Sequence, residues 1–166
     1  MELLQVFDDN KFMLNEYIER DKKKELPNGK NFMIILLFIQ NEEGKFLIQK
    51  VSTNKGGEYA TTGGHATFGD DNIATAIKEC DEELGVKLNK EELVLISSQK
   101  FDCCFAEVFY CKKNINEQDI VLQEEEVESV KWLSIDEIND LIKNNQFRKG
   151  NILAFKELLN YLDENK

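Results

Sequence analysis

Apolar residues fall in short runs broken by polar turns, and in two places the spacing changes from strand-like to helical. Residues 3–7 and 12–19 predict a hairpin around the turn Asp8-Asp9-Asn10. Phe32 to Ile39 is an unbroken run of eight apolar residues, the pattern of a central strand buried on both faces. Asn41-Glu42-Glu43-Gly44 reads as a turn, and Phe46-Leu47-Ile48 as the hairpin partner that returns beside that strand. Ile73, Ala76, Ile77, Cys80 and Leu84 then recur at helical spacing, with Asp70 or Asp71 as N-cap and Gly85 as the C-terminal stop. Leu93 to Phe101, Phe105 to Cys111 and Val127 to Leu133 read as three further strands. Ser134 caps a helix from Ile135 to Lys143, and a last amphipathic helix runs from Asn151 to Leu162. Strands interleaved with few helices predict an α+β fold, a mixed β-sheet sandwiched between α-helices.

Length and charge narrow the function classes. With 166 residues and 42% apolar side chains, one domain with its own core is expected over residues 1–166. The hairpin would form an N-terminal extension within residues 1–30. A formal net charge of -11 argues against a nucleic-acid polymer as partner, because phosphate neutralisation needs a clustered basic surface. It argues equally against docking on an anionic membrane. The longest apolar run is too short to span a bilayer, and the first residues lack the basic and apolar segments of a secretion signal. The four cysteines, Cys80, Cys103, Cys104 and Cys111, make no C-x-x-C pair, and the single His65 does not complete a zinc site. Reduced thiols and a cytoplasmic location are therefore expected, with a homodimer left open.

The acids are not spread evenly. Glu79, Glu82 and Glu83 stand at i, i+3 and i+4, so they share one face of the helix that begins near residue 72. Like charges at this spacing cost only about 0.2–0.5 kcal/mol per pair, so a plain solvated face would be tolerated. Five of the nine glycines (Gly56, Gly57, Gly63, Gly64 and Gly69) precede this helix, in a segment whose backbone can approach a ligand closely. Convergent carboxylates beside backbone carbonyls describe a site for a hard divalent cation, Mg²⁺ or Mn²⁺.

At these residues the chain resembles the Nudix superfamily, whose box reads G-x5-E-x7-R-E-U-x-E-E-x-G-U with U a bulky aliphatic residue. Gly64, Asp70 and Lys78-Glu79-Cys80-Asp81-Glu82-Glu83-Leu84-Gly85-Val86 match this pattern without a gap. Asp70 replaces the box glutamate, Lys78 the arginine and Cys80 an aliphatic residue. Phe46 to Lys50 and Val130 to Glu137 are similar to the family's flanking segments, so the resemblance covers roughly residues 32–143 and, more weakly, the N-terminal hairpin.

The resemblance implies a Mg²⁺-dependent hydrolase that cleaves the diphosphate linkage of a nucleoside diphosphate joined to another moiety. It implies Glu79 and Glu83 as primary metal ligands, Glu82 as a further ligand or water-mediated contact, and the Gly64 carbonyl as completing the shell. The general base would be Glu83 or Glu82, or a glutamate from the later loop Glu124-Glu125-Glu126, where Glu126 is favoured because it abuts the strand at Val127. Lys78 in place of arginine is expected to hold the glutamates less well, since it has no bidentate fork. The partner is expected to be a small-molecule diphosphate, with Tyr59, Phe68, Phe101, Phe105 and Phe147 all open as base-stacking residues. A non-catalytic Nudix domain that binds a nucleotide or metabolite is the alternative. An isopentenyl-diphosphate isomerase is disfavoured, because Gly63 stands where that branch needs a cysteine and His65 is the only histidine.

Overall fold

The computed structural model describes all 166 residues. Strands β1 (Leu3–Phe7) and β2 (Met13–Glu19) form the expected antiparallel hairpin. The Asp8 carboxylate closes its turn by accepting the backbone N–H groups of Asn10 and Phe12 at 2.9 and 3.0 Å. A 3-10 turn, Arg20–Glu25, was not evident in the sequence and carries the chain onward to β3 (Phe32–Gln40).

The main sheet has seven strands and forks at the far end of β3. On one branch β3 pairs in parallel with β8 (Cys104–Lys112), which pairs antiparallel with β7 (Val94–Phe101). On its other side β3 pairs with β6 (Thr62–His65). The second branch holds β4 (Phe46–Val51) between β5 (Tyr59–Ala60) and β9 (Val127–Leu133). The expected β3–β4 hairpin is present only at its base, where Gln40 faces Phe46. Beyond that pair β6 occupies the edge of β3 and β5 pairs with β4, while β9 runs along the other edge of β4. β5 and β6 lie in the glycine-rich stretch, where no strand was expected.

Alternation along β3 explains the layers. Met33, Ile35, Leu37 and Ile39 share a core cluster with Ala76, Cys80 and Leu84 of α1 (Asn72–Leu84). Phe38, on the opposite face, clusters with Ile138 of α2 (Ile135–Lys143) and Phe155 and Leu158 of α3 (Lys149–Glu164). The sheet is thus sandwiched between α1 and the α2–α3 pair, the expected mixed arrangement. Each fully buried aromatic or aliphatic side chain contributes roughly 1.5–3 kcal/mol. Two members of the second face, Ile34 and Leu36, are only half-buried. There a cleft opens over the sheet, bordered by the first turn of α3. All four cysteines are free, as expected. No helix is long and apolar enough to cross a membrane.

Candidate active site

The cleft has a volume of about 750 Å³, and the ends of several elements line it. Its acidic wall is made by α1. Asp71, not Asp70, is the N-cap, its carboxylate accepting the Ala74 N–H at 2.8 Å. Gly85 ends the helix in the left-handed region at φ 65°. With Ala76, Cys80 and Leu84 turned to the core, helical spacing puts Glu79, Glu82 and Glu83 on the side that faces β6 and the cleft.

The glycines of β6 make room for this. A Cβ on Gly64 would lie 2.5 Å from the Glu79 carboxyl carbon, so the carboxylate occupies the space a side chain would take. A Cβ on Gly63 would collide with the Ile35 carbonyl of the neighbouring strand. Glu83 is buried, and its Oε1 accepts hydrogen bonds from the Thr62 hydroxyl and, at 3.3 Å, the Gly63 N–H. Burial raises the Glu83 carboxyl above its ordinary range, and the Thr62, Gly63 and Gln49 donors partly offset this. Glu79 is pushed up to about 8 by burial and then by Glu83, Glu82 and Glu2, with Lys78 opposing only weakly. Glu82 is exposed at the mouth.

Glu126 lines the same cleft from the loop before β9. Its backbone carbonyl accepts the Ser52 N–H at 3.0 Å, and its half-exposed carboxylate lies 3.3 Å from Lys55. The loop is held against α1, where Val121 N–H donates to Leu84 and Gln123 N–H to Glu83, at 2.9 and 3.1 Å. The structure therefore gathers Gly64, Glu79, Glu82, Glu83 and Glu126 around one cleft. It does not draw any three acidic, histidine or cysteine side chains into a ready-made metal cluster. The donors are nonetheless all oxygen, and buried Glu83 and half-buried Glu79 form no ion pair with a lysine or arginine. That is chemistry suited to a hard divalent ion.

Away from the acids the floor is apolar, formed by Ile34, Leu36 and Ala106. Of the five aromatic residues proposed to stack a base, only Phe101 lines the cleft, and it is 48% exposed. Phe105 and Phe147 are buried, and Phe68 packs on Tyr17 with ring centres 5.4 Å apart. Tyr59 sits at the other branch of the sheet, against Gln49 and Lys50. His65 also lines the cleft; its Nε2 is 2.8 Å from Lys23 Nζ and its ring stacks on Phe32. Glu2, Arg20, Arg148 and Asn151 line it as well and carried no local signal in the sequence.

A family model for the NUDIX domain matches residues 30–155. The chain belongs to this family. It is 28% identical over 144 residues to an uncharacterized Nudix hydrolase of Listeria innocua, covering 81% of this chain and 85% of that one. The fold is similar to that of the DR0079 protein of Deinococcus radiodurans, with a TM-score of 0.70, 17% identity, and coverage of 93% of this chain and 96% of the other. A NUDIX hydrolase from Nitrosomonas europaea gives a TM-score of 0.64 at 19% identity, covering 81% and 90% of the two chains. At these identities the structural likeness speaks for the fold.

Of the three residues that depart from the Nudix box, Asp70 and Lys78 meet in the fold, while Cys80 is buried in the core. Lys78 Nζ lies 3.3 Å from Asp70 and 2.9 Å from the Thr67 hydroxyl, which itself donates to Asp70. Lys78 therefore pins the loop ahead of the helix and forms no ion pair with Glu79, Glu82 or Glu83. The glutamates are placed instead by Gly64, Thr62 and Gly63.

Proposed function

We propose that this Nudix domain is a Mg²⁺- or Mn²⁺-dependent hydrolase that cleaves the diphosphate linkage of a nucleoside diphosphate joined to another moiety. The observation that carries the reading is the pair of carboxylates, buried Glu83 and half-buried Glu79, set against a glycine cradle at one end of a cleft large enough for a nucleotide. Glu79, Glu83 and the Gly64 carbonyl would hold the cation, with Glu82 as a further or water-mediated contact. When bound, the cation supplies charge neutralisation at the diphosphate and makes water more acidic.

The protein's own groups divide the remaining work. The Glu83 carboxylate is fixed by Thr62 and Gly63, which suits a ligand that must hold its orientation. Glu126 has no such anchor, and its only ion-pair partner is the half-exposed Lys55. It is therefore the better placed of the candidate bases to take a proton from the attacking water, ahead of Glu82 and Glu83. Ile34, Leu36 and Phe101 offer an apolar bed for the nucleoside.

The test is a phosphate-release screen across nucleotide sugars, dinucleoside polyphosphates, dinucleotides and nucleoside triphosphates, with Mg²⁺ or Mn²⁺. Turnover of at least one class is expected, with a fall of two or more orders of magnitude in Glu83→Gln. Nucleotide binding without turnover of any class would instead support the non-catalytic alternative.

A further inference from the structure

The family match begins at residue 30, yet the preceding residues help to build the cleft. Glu2 and Arg20 both line it, joined by a 2.8 Å contact from Arg20 Nη1 to Glu2 Oε2 that holds the start of β1 to the 3-10 turn after β2. A second bond, from the Arg20 N–H to the Glu2 carbonyl at 3.1 Å, fixes the backbone on which the guanidinium is mounted. This extension stands over the end of the sheet where His65, Cys104 and Phe101 meet. Phe101 faces Cys104 across the β7–β8 pair, and His65 faces Ile34 across the β3–β6 pair.

A substrate whose diphosphate is held at Glu79 and Glu83 still presents phosphate oxygens that face away from those acids. The positive groups that line the cleft are Arg20, Arg148 and Lys149, and Lys149 is a point charge with no bidentate fork. Lys23 is committed to His65 at 2.8 Å, and the His65 ring is stacked on Phe32. Arg148 is held at two points of its guanidinium, by Glu58 at 2.8 Å and by the Lys55 carbonyl at 3.5 Å. Arg20 is half-exposed and spends one nitrogen on Glu2, itself within electrostatic reach of Glu79. Its guanidinium keeps further donors in the fork geometry that suits a phosphate.

We propose that Arg20 is a substrate-binding residue that takes a phosphate oxygen of the bound nucleotide on the side turned away from the carboxylates, so that the N-terminal extension contributes to specificity. The inference rests on the hydrolase reading for the identity of the ligand, and its test separates the two.

The probes are adenosine and the non-hydrolysable methylene-bridged analogues of ADP and ATP, titrated by calorimetry into the full chain with Mg²⁺ present. Arg20→Ala is expected to weaken both analogues about tenfold or more and to leave adenosine within twofold. Glu2→Gln breaks the same ion pair but keeps the guanidinium, and should bind the analogues as well as or better than the parent. Equal weakening by both variants would show that the pair only braces the hairpin, and would overturn the proposal. So would analogue binding in Arg20→Ala within twofold of the parent, or no analogue binding by the parent. Hydrolysis without Arg20 dependence would leave the hydrolase reading standing alone. Arg20-dependent binding without hydrolysis of any diphosphate would do the reverse.

Discussion

Gly63 and Gly64 are neighbours with the same side chain, and the structure requires a glycine at each for different reasons. At Gly64 an added methyl would meet the far end of a flexible side chain, the Glu79 carboxyl. Gly64→Ala should therefore keep its fold, with a melting temperature within a few degrees of the parent, while Mn²⁺ affinity measured by calorimetry falls at least tenfold. At Gly63 the methyl would strike the Ile35 carbonyl, which cannot swing aside. Gly63→Ala should lower stability by several kcal/mol, of the order of an overpacked core site, and be seen as a large drop in the denaturant midpoint. If the two variants behave alike, the account of the cradle is wrong. The Nudix spacing marked Gly64 as a box position but not the close approach of Glu79 to it. The steric reason for Gly63 was not, because it depends on a strand nearly thirty residues away.

Among the elements, α1 was the most legible. Its apolar spacing, acidic cap and terminal glycine all act locally, and its observed bounds are Asn72–Leu84. The sequence left Asp70 and Asp71 open as caps, and geometry separates them: Asp71 caps, while Asp70 pairs with Lys78. Asp71→Ala should cost about 1 kcal/mol in chemical denaturation. β5 and β6 were missed because threonines and glycines carry no apolar alternation, and Thr62–His65 becomes a strand only through pairing with β3. The fork after Gln40 was missed for a similar reason: a turn signal brings the chain back but does not say which edge it takes. A shorter link joins the turn before β7 to the end of β8, where Lys113 Nζ lies 2.7 Å from Glu92. Lys113 and then the Asn89 N–H hold the Glu92 carboxyl below its ordinary value of 4.5, so the folded state binds this proton less readily than the unfolded chain. The stabilisation is present above pH 4.5 and is lost as the pH falls through the lower folded value. Glu92→Gln should melt earlier than the parent at pH 7, with the gap closing towards pH 3. A gap independent of pH would remove the ion pair from the account.

At the scale of the whole molecule the charge of -11 divides into a dispersed part and a cluster. Glu79, Glu82, Glu83 and Glu126 bring four carboxyl groups to one cleft, and burial makes Glu79 and Glu83 harder to ionise. A bound divalent cation relieves that repulsion only in the folded chain. Mn²⁺ at a hundred times its dissociation constant should therefore stabilise the protein by about 2.7 kcal/mol, a shift of several degrees in thermal unfolding. The shift should be absent in Glu79→Gln and Glu83→Gln. The acid wall could be read from the box, whereas the N-terminal wall could not, since Glu2 and Arg20 reach the cleft through tertiary packing alone. The central claim is that these carboxylates support metal-dependent diphosphate hydrolysis. Its most direct measurement is phosphate release from the substrate panel by the parent protein and Glu83→Gln, with Mg²⁺ and with a chelator. The parent should turn over at least one substrate, the chelator should abolish that turnover, and the variant should be at least a hundredfold slower. Equal turnover by the two proteins, or no turnover of any diphosphate, would contradict that claim.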